Sequence, residues 1–330
     1  MAGDEEGGLE THFVDLANGL AETGDGVAVI AHERYRDRFG PGIEFHSLDL
    51  TRGRRNPWLR HKLRRLIEGV QPDVVHAHAG KAAALVARID PPTRTVGTVH
   101  GRKKDLSSYR RFDAVIGVSR GVLAGLDHPA KTIVYNGVRP APPTLSGTEL
   151  RRRFDIDARA PVAMAVGRLV PVKGYNHLID LWDAGLGHLL IVGDGPERRR
   201  LETLAKGKPV TLAGHRGDVR SYMGAADLMV FSSQREGLSY ALAEALLAGL
   251  PVVSTPVPGA EELLPPSHLA PIGALKRTIA ANLADPVAAR DRMRAVFAWA
   301  AETLTVDRMV RATRLVYEAG GKQARVACSD

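Results

Sequence analysis

The sequence from Leu228 to Glu244 reads LMVFSSQREGLSYALAE, an apolar run followed by a polar turn and a helical pattern. Leu228–Phe231 has the length and composition of a buried strand, and the helix is predicted to begin near Tyr240. Two carboxylates, Glu236 in the turn and Glu244 on the helix, are eight positions apart. Because this spacing is slightly more than two helical turns, both acids can face the same side. The unit predicts a parallel α/β fold with a polar site where the strand ends.

The same alternation of short apolar runs and helical periodicity extends along the whole chain, as is typical of doubly wound α/β domains. A proline-rich stretch, residues 138–143, interrupts it, because proline continues neither a helix nor a central strand. We predict two Rossmann-like domains, over residues 1–140 and 141–305, that face each other across a cleft. Helical periodicity resumes over residues 275–317, and residues 306–330 are assigned to a C-terminal helix, which could cross back to the first domain, and a tail.

The beginning of the sequence departs from this pattern. A doubly wound domain ordinarily opens with a strand, yet Gly7-Gly8 opens a predicted helix (residues 9–22) after only six residues. We therefore expect the first strand of the N-terminal domain to be missing. Its absence would leave Gly7-Gly8 without a rigid base and the first sheet with an open centre.

The composition excludes several classes of protein. The 330 residues are 44% hydrophobic and 25% charged, and no stretch approaches the ~20 apolar residues of a membrane-spanning helix. The first residues are acidic and lack the apolar core of a secretory signal. The single cysteine, Cys328, excludes a disulfide framework and a cysteine-based metal site. A cytoplasmic protein is expected.

The formal net charge of +8 is compatible with nucleic acid, anionic lipid or acidic small molecules as partners. Because only 5% of the residues are aromatic and no helix-turn-helix or zinc-finger spacing occurs, nucleic acid is not expected as a partner. Basic residues concentrate between positions 50 and 65. They predict either a solvated helix face or a surface for anionic lipid headgroups. The residues of this predicted membrane surface are Arg54, Arg55, Trp58, Arg64 and Arg65.

The turn after the predicted strand Val162–Val166 carries two cations. Arg168 follows Gly167, and Lys173 comes five positions later, just before a predicted helix. A guanidinium offers phosphate oxygens a planar fork, and an ammonium offers a point charge. The turn therefore predicts a phosphate-binding site; its purely structural interpretation is a helix cap beside a surface lysine.

Glycine-bearing turns follow further strands of the second half. Gly195 permits a close approach of the backbone, and His215-Arg216 could border a planar base. The amides of Gly237 and Ser239 stand at a helix start, where an anion such as phosphate is favoured. Each turn by itself is also compatible with an ordinary loop.

Three histidines follow predicted strands of the first half. His76 and His78 share one face of a strand, and His100 ends another. Three converging imidazoles could bind zinc. Packed or hydrogen-bonded core histidines are the more common case, and we predict no metal site.

In their order along the chain, the motifs of residues 160–262 resemble the nucleotide-sugar half of a family 4 glycosyltransferase (glycosyl transferases group 1) of GT-B fold. The motifs that carry the resemblance are Arg168 with Lys173, Gly193-Asp194-Gly195-Pro196, Gly214-His215-Arg216 and the Glu236/Glu244 pair. The first half agrees less sharply, through residues 7–10, 74–78, 98–101, 118–119 and 135–138.

The resemblance implies a retaining, metal-independent transfer of a hexose from a nucleoside diphosphate sugar, without a cofactor. A UDP-sugar is the favoured donor and GDP-mannose is the alternative. The implied acceptor is a lipopolysaccharide, a polysaccharide or a lipid-linked saccharide. Such an acceptor would place the protein peripherally on the inner face of the cytoplasmic membrane.

The resemblance also implies roles for individual residues. The implied catalytic residues are His100, Arg168, Lys173 and Glu236, with the two cations on the diphosphate, Glu236 on the hexose hydroxyls and His100 near the reacting centre. The implied donor-binding residues are Gly7, Gly8, Gly167, Gly195, His215, Arg216, Gly237, Leu238, Ser239, Glu244 (on the ribose) and Gly259. His78 and Ser119 are implied on the acceptor side.

Two other functions remain open at this point. A sugar-nucleotide epimerase of GT-B architecture would turn over the nucleotide sugar without an acceptor. A non-catalytic nucleotide-sugar-binding subunit would bind the donor without hydrolysis or transfer, and the missing first strand is the reason to consider it.

Overall fold

The computed structural model describes Met1, residues 7–50, Gly53, residues 56–139 and residues 144–319. These residues form two compact α/β units, which confirms the predicted pair of Rossmann-like domains. The N-terminal unit comprises Met1–Val118, Val122–Tyr135 and the chain from Val306, and the C-terminal unit comprises Ser119–Gly121 and Asn136–Thr305.

The described strands are β1 (Ala28–Ala31), β2 (Glu44–Ser47), β3 (Val74–His78), β4 (Arg94–Val99), β5 (Ala114–Gly117), β6 (Lys131–Ile133), β7 (Val162–Val166), β8 (His188–Val192), β9 (Val210–Gly214), β10 (Leu228–Phe231) and β11 (Val252–Ser254). The described α-helices are α1 (Gly8–Glu22), α2 (Pro57–Val70), α3 (Ala79–Ile89), α4 (Gly147–Arg153), α5 (Tyr175–Leu181), α6 (Arg198–Ala205), α7 (Val219–Met223), α8 (Tyr240–Leu247), α9 (Pro258–Leu263), α10 (Ile272–Leu283), α11 (Pro286–Arg292), α12 (Arg294–Thr303) and α13 (Val306–Glu318). In this described part of the chain, no helix is both long and apolar enough to cross a lipid bilayer.

The N-terminal unit contains two separate parallel sheets. One pairs β1 with β2, and the other has the strand order β3-β4-β5-β6. Within the described residues, no strand pairs with both β1 and β3. The sheet of this unit is therefore interrupted in the middle.

Helix α13 belongs to the N-terminal unit, although it lies at the other end of the chain. Its apolar residues Val306, Met309 and Val310 are buried in one cluster with Leu16 and Leu20 of α1. Burial of the apolar faces of two helices against each other stabilises both. The C-terminal helix thus completes the layer that α1 begins.

The C-terminal unit has one parallel sheet with the strand order β11-β10-β7-β8-β9. The chain runs outward from β7 through β8 to β9, and then returns to the other side of β7 with β10 and β11. In open α/β sheets, ligands bind beyond the carboxyl ends of the strands at such a reversal. The reversal here places the turns after β7 and β10 next to each other.

Candidate active site

Lys173 and Glu236 come together where the strand order of the C-terminal unit reverses. Lys173 ends a short turn after β7, and Glu236 lies in the loop between β10 and α8. Their side chains form an ion pair, and each is only 18% exposed. The hydroxyl of Ser233 donates a second hydrogen bond, of 3.2 Å, to the same carboxylate oxygen, Oε1. An ammonium and a carboxylate are thus fixed together at the edge where a ligand is expected.

The two loops that carry this ion pair are joined by further hydrogen bonds. The Ser232 hydroxyl donates to the backbone carbonyl of Lys173 at 2.9 Å, and the Gln234 amide donates to the carbonyl of Val172 at 2.9 Å. The neighbouring Tyr175 is buried, and burial, followed by the Glu236 carboxylate, raises the pKa of its phenol. The hydrogen bonds between the two loops hold the residues of the ion pair in place.

Arg168 lies in the same loop as Lys173, with an exposed side chain. The next residue, Leu169, is fully buried, and its amide donates to the carbonyl of Asp194 at 2.8 Å. In return, the Glu197 amide donates to the Leu169 carbonyl at 3.0 Å. These two hydrogen bonds join the turn after β7 to the turn after β8. They hold the backbone next to Arg168 in place.

The turn after β8 is stabilised by its own acid. The Asp194 carboxylate accepts from the Gly195 amide at 2.7 Å and from the Arg198 guanidinium at 3.0 Å. The bond from the Gly195 amide, followed by the Arg198 bond, holds the pKa of Asp194 below its usual value. Gly195 adopts φ +158°, and a Cβ there would overlap the carbonyl oxygen of Leu169. Only glycine fits this close approach of two backbones.

Glu244 lies on α8 and forms an ion pair with Arg220 of α7. The Arg220 Nε donates to Glu244 Oε1 at 2.9 Å, and the Glu244 side chain is 14% exposed. Arg220 also donates to the carbonyl of Arg139 at 3.0 Å. Arg220 could not be predicted as a site residue, because nothing local to α7 indicates that its guanidinium reaches a carboxylate 24 positions later.

The loop before α8 presents backbone rather than apolar side chains. Leu238 is buried, and its carbonyl accepts from Asn136 Nδ2 at 2.6 Å. Ser239 precedes the first residue of α8, and its hydroxyl makes no capping bond. Gly259 packs so closely on this loop that a Cβ would overlap the carbonyl oxygen of Gly237.

A small cavity of about 10 Å³ lies beside this loop, which is room for a single water molecule. Its lining residues are Phe231, Glu236, Gly237, Ser239, Leu242, Ser254, Val257 and Ala260. The predicted catalytic residue Glu236 and the predicted donor-binding residues Gly237 and Ser239 therefore line the same small cavity.

The predicted base-binding residues follow β9. His215 is exposed, and Arg216 is partly exposed. The Arg216 Nε donates to the carbonyl of Ala213 at 3.0 Å, and its guanidinium lies 5.9 Å from the ring centroid of Phe154. The side chain of Arg216 is thus held against the backbone of the loop that carries it.

In the N-terminal unit, His78 and His100 join a third imidazole, His12 of α1. His78 Nδ1 lies 3.4 Å from His100 Nε2, and the ring centroids of His12 and His100 are 4.6 Å apart. Burial, followed by the other histidines, lowers the pKa of both His78 and His100 well below the usual value. His12 could not be predicted as part of this group, because in the sequence it is one more position of a helix.

The three imidazoles are close enough to share a ligand. Within the described ranges, one nitrogen of each of His12, His78 and His100 lies within 4.8 Å of the others. Neutral imidazoles are the form that binds zinc. These residues could therefore hold a metal ion, and the absence of a metal site stays a prediction.

His76, in contrast, has a structural role. Its Nδ1 lies 2.7 Å from the hydroxyl of Tyr317, and its Nε2 lies 2.7 Å from the hydroxyl of Thr98. Burial, followed by the neighbouring His12, lowers the pKa of His76 to about 3. Both ring nitrogens are engaged, so His76 links β3 to β4 and to α13.

Three further predicted site residues are Gly7, Gly8 and Ser119. No described contact joins them to the two ion pairs or to the histidines. Gly7 and Gly8 are exposed at the start of α1. Ser119 is 1% exposed, and its hydroxyl has no hydrogen-bond partner among the described residues. By its contacts Ser119 belongs to the C-terminal unit.

The predicted membrane surface falls partly on α2. Leu59, Leu63 and Ile67 form its buried face, and Trp58 is 56% exposed on the other side. Arg65 is exposed, whereas Arg64 donates to the carbonyl of Ile89 at 3.1 Å. Arg54 and Arg55 lie outside the described residues. The amphipathic helix is present, and its binding to lipid stays a prediction.

Comparisons with known proteins agree with this geometry. Residues 160–287 match the family described as glycosyl transferases group 1, and residues 6–141 match glycosyltransferase family 4. LpsE, a lipopolysaccharide core biosynthesis glycosyltransferase of Rhizobium meliloti (strain 1021), is 31% identical over 276 residues, which cover 76% of each chain. A GDP-mannose-dependent alpha-mannosyltransferase of Mycobacterium tuberculosis (strain CDC 1551 / Oshkosh) is 31% identical over 153 residues, 46% of this chain and 40% of that protein.

Among solved structures, Anabaena HepE in complex with UDP and glucose has a TM-score of 0.79 to this chain. The sequence identity is 20%, and the superposition covers 97% of this chain and 98% of HepE. This likeness establishes the architecture, and the identity to LpsE establishes the family. The chain belongs to the family 4, group 1 glycosyltransferases, and its two Rossmann-like units have the GT-B fold.

Proposed function

We propose that this protein is a retaining, metal-independent hexosyltransferase that uses a nucleoside diphosphate sugar as donor. The observation that carries the proposal is the Lys173–Glu236 ion pair at the reversal of strand order in the C-terminal unit. A fixed ammonium suits a diphosphate, and a fixed carboxylate suits sugar hydroxyls.

Each charged group has a distinct proposed role. Arg168 and Lys173 bind the diphosphate, Glu236 accepts hydrogen bonds from the hexose, and Glu244 accepts them from the ribose. Among the described residues, the recorded bonds to Glu236 both end at Oε1, which leaves Oε2 to a hexose hydroxyl. The backbone amides of Gly237 and Ser239 add donors for an anion at the same loop.

The chemistry follows from where charge develops. As the bond between the anomeric carbon and the diphosphate breaks, the leaving group gains negative charge. Cations held in place before the reaction stabilise that charge without reorganisation, so Arg168 and Lys173 lower the barrier. Because they act more strongly on the transition state than on the bound donor, they contribute to turnover as well as to binding.

For the acceptor, we propose a saccharide of the bacterial cell envelope, bound by the N-terminal unit with His100 near the reacting centre and His78 beside it. LpsE acts in lipopolysaccharide core biosynthesis, which supports an acceptor of this class. The neutral state of both imidazoles suits hydrogen bonding to hydroxyls. An acceptor linked to lipid would bring the protein to the inner face of the cytoplasmic membrane, where α2 contacts anionic headgroups.

For the donor, we favour a UDP-sugar, with GDP-mannose as the alternative. HepE is known with UDP and glucose, whereas the mycobacterial relative depends on GDP-mannose. The base is proposed to lie against His215-Arg216.

A thermal-shift panel of UDP-, GDP- and ADP-sugars tests the donor. A donor present at about 100 times its Kd adds roughly 2.7 kcal/mol to the free energy of unfolding, which is readily measured. The matching nucleoside diphosphate released in the presence of a saccharide acceptor is then the evidence of transfer. Donor turnover without acceptor would favour an epimerase, and binding without turnover would favour a non-catalytic subunit.

A further inference from the structure

The group of three imidazoles in the N-terminal unit contains one member, His12, that the proposed transfer does not use. His12 lies on α1, His78 is the last residue of β3, and His100 follows β4. His12 is 1% exposed and His78 is 3% exposed, whereas His100 is partly exposed. Three different elements thus bring two buried imidazoles and one accessible imidazole together.

The spacing of the ring nitrogens fits a bound metal ion better than a hydrogen bond. His78 Nδ1 lies 3.4 Å from His100 Nε2, which is longer than the usual hydrogen bond of about 2.7–3.2 Å. Ligands at about 2.0–2.1 Å from a tetrahedral zinc ion are about 3.3–3.4 Å from one another. One nitrogen of each ring, that of His12 included, lies within 4.8 Å of the other two. A small rotation of the rings therefore places three nitrogens at three corners of a tetrahedron.

His78 is held in place by its neighbours before any ion binds. Its ring centroid lies 4.1 Å from that of His76 and 5.2 Å from that of Phe13. His76 is fixed in turn by its hydrogen bonds with the hydroxyls of Tyr317 and Thr98. A ligand whose own neighbours are fixed keeps its geometry, as a metal site requires.

The protonation state also suits a metal ion. Burial above all lowers the pKa of His78 and of His100 well below the usual value, so both rings are neutral near pH 7. A neutral imidazole binds a metal without first losing a proton. The Lys103 ammonium also lowers the pKa of His100, and its charge disfavours a bound cation in the same way. We therefore expect an affinity in the micromolar range, weaker than that of a structural zinc site.

The three ligands select the class of ion. Imidazole nitrogens suit zinc and the neighbouring transition metals, whereas magnesium and calcium prefer oxygen. Three protein ligands leave the fourth position of a tetrahedral ion to water, and the partial exposure of His100 gives solvent access to it.

We propose that His12, His78 and His100 form an inhibitory zinc site. The inhibition rests on the proposed function, because the bound ion would occupy the nitrogens of His78 and His100 that otherwise serve the acceptor hydroxyls. Transfer itself uses no metal, so the ion is an inhibitor and not a cofactor. The sequence-based prediction of no metal site considered His76 with His78 and His100. The structure joins His12 to the latter two instead, and this exchange favours the site.

A titration with cobalt(II) tests the binding. The full chain is treated with EDTA and desalted, and cobalt(II) is added near neutral pH. We expect visible absorption bands that saturate at one equivalent, because tetrahedral cobalt(II) absorbs much more strongly than the aqueous ion, and zinc should then remove the bands. His12→Gln should abolish them, whereas His61→Gln, at an exposed position of α2, should keep them. Circular dichroism verifies the fold of both variants.

His12→Cys separates a ligand from a structural residue. A thiolate at this position should still bind cobalt(II) and should add an intense sulfur-to-cobalt charge-transfer band in the near ultraviolet. The parent protein should lack this band, although it contains Cys328. The proposal is overturned if the parent gives no tetrahedral bands, if His12→Gln keeps them, or if folded His12→Cys gives no charge-transfer band.

Transfer assays test the inhibition. Zinc at about ten times its Kd should reduce transfer by the parent about tenfold, since about one tenth of the protein stays free of the ion. EDTA should restore the rate, and His12→Gln should lose less than about twofold of its own activity at the same zinc concentration. Equal fractional inhibition of the two proteins would overturn the inhibitory role of this site. Cobalt binding needs neither donor nor acceptor, so a lack of transfer would contradict the proposed function and leave the binding test intact.

Discussion

Lys173 and Glu236 are 63 positions apart in the sequence and form an ion pair in which each side chain is 18% exposed. The strand order of the C-terminal unit brings them together, since β7 and β10 are neighbours in the sheet. A pair so little exposed fixes both side chains, and removal of either partner leaves the other charge largely buried and uncompensated.

Lys173→Ala should reduce turnover by about 100- to 1000-fold, because a fixed cation is lost where the leaving group gains charge. Arg168→Ala should act in the same way. Steady-state kinetics with saturating donor measure the effect, and circular dichroism verifies the fold. Lys206→Ala, which removes an exposed lysine of the same unit, is the matched control. Turnover within threefold of the parent in either test variant would exclude the assignment.

Glu244→Gln and Arg220→Ala should both raise the KM for the donor by about tenfold, while kcat changes little. The reason is that the ribose is bound equally well in the ground state and in the transition state. The double variant should be no worse than Glu244→Gln alone, because Arg220 acts by positioning Glu244. Arg294→Ala breaks an exposed ion pair with Asp291 and serves as control. Strictly additive effects on KM would show that the two residues act independently.

The N-terminal unit should lose stability as the pH falls below about 6.5. The pKa of His76 is about 3 in the folded protein, and those of His78 and His100 are also lowered, so the unfolded chain binds more protons in this window. The contribution of these histidines to the free energy of unfolding is complete above about pH 6.5, the pKa of an unfolded histidine. It declines as the pH falls towards 3, by at most about 1.4 kcal/mol per pH unit for each imidazole.

Chemical denaturation between pH 7 and pH 4 measures this slope. His76→Gln should make it shallower, whereas His61→Gln, at an exposed position of α2, should leave it unchanged. A free energy of unfolding that stays constant across the window would contradict the buried neutral state of these histidines.

Transfer should survive removal of divalent metals. The diphosphate is neutralised by Arg168 and Lys173 in the proposed mechanism, so EDTA should change kcat by less than twofold. If EDTA abolishes transfer and zinc or another divalent cation restores it, metal independence is wrong. His12, His78 and His100 are then the residues to replace first, because their nitrogens lie within 4.8 Å of one another.

Binding to vesicles tests the surface on α2. Vesicles rich in anionic lipid should bind the protein, since each basic residue near the surface contributes about 1 kcal/mol. Replacement of Arg54, Arg55, Arg64 and Arg65 by Glu should abolish sedimentation with these vesicles. Replacement of Arg199, Arg200, Arg277 and Arg290 by Glu, at exposed positions of the C-terminal unit, changes the net charge by the same amount and is the control. Equal binding of both charge-reversed proteins would reject this surface.

Helix α1 and the strands β7, β8 and β10 could be predicted from local patterns. Burial against the core selects apolar residues at the spacing of the helix or along the short run of the strand. The helical region over residues 275–317 could be predicted as a whole, with a separate C-terminal helix from residue 306, but without its inner boundaries. The structure divides it at Asp285, whose side chain caps α11 by accepting from the Ala288 amide at 2.9 Å, while Pro286 ends the run from α10. Caps depend on single residues, which periodicity does not detect.

The sequence by itself determined the alternation of strands and helices and the turns that carry charged residues. These are local properties, since the hydrophobic period and the turn residues act over a few positions. The tertiary structure alone decided that Lys173 meets Glu236, that Arg220 meets Glu244 and that His12 joins His78 and His100. Such contacts depend on strand order and helix packing, which set distances between residues that no local pattern relates.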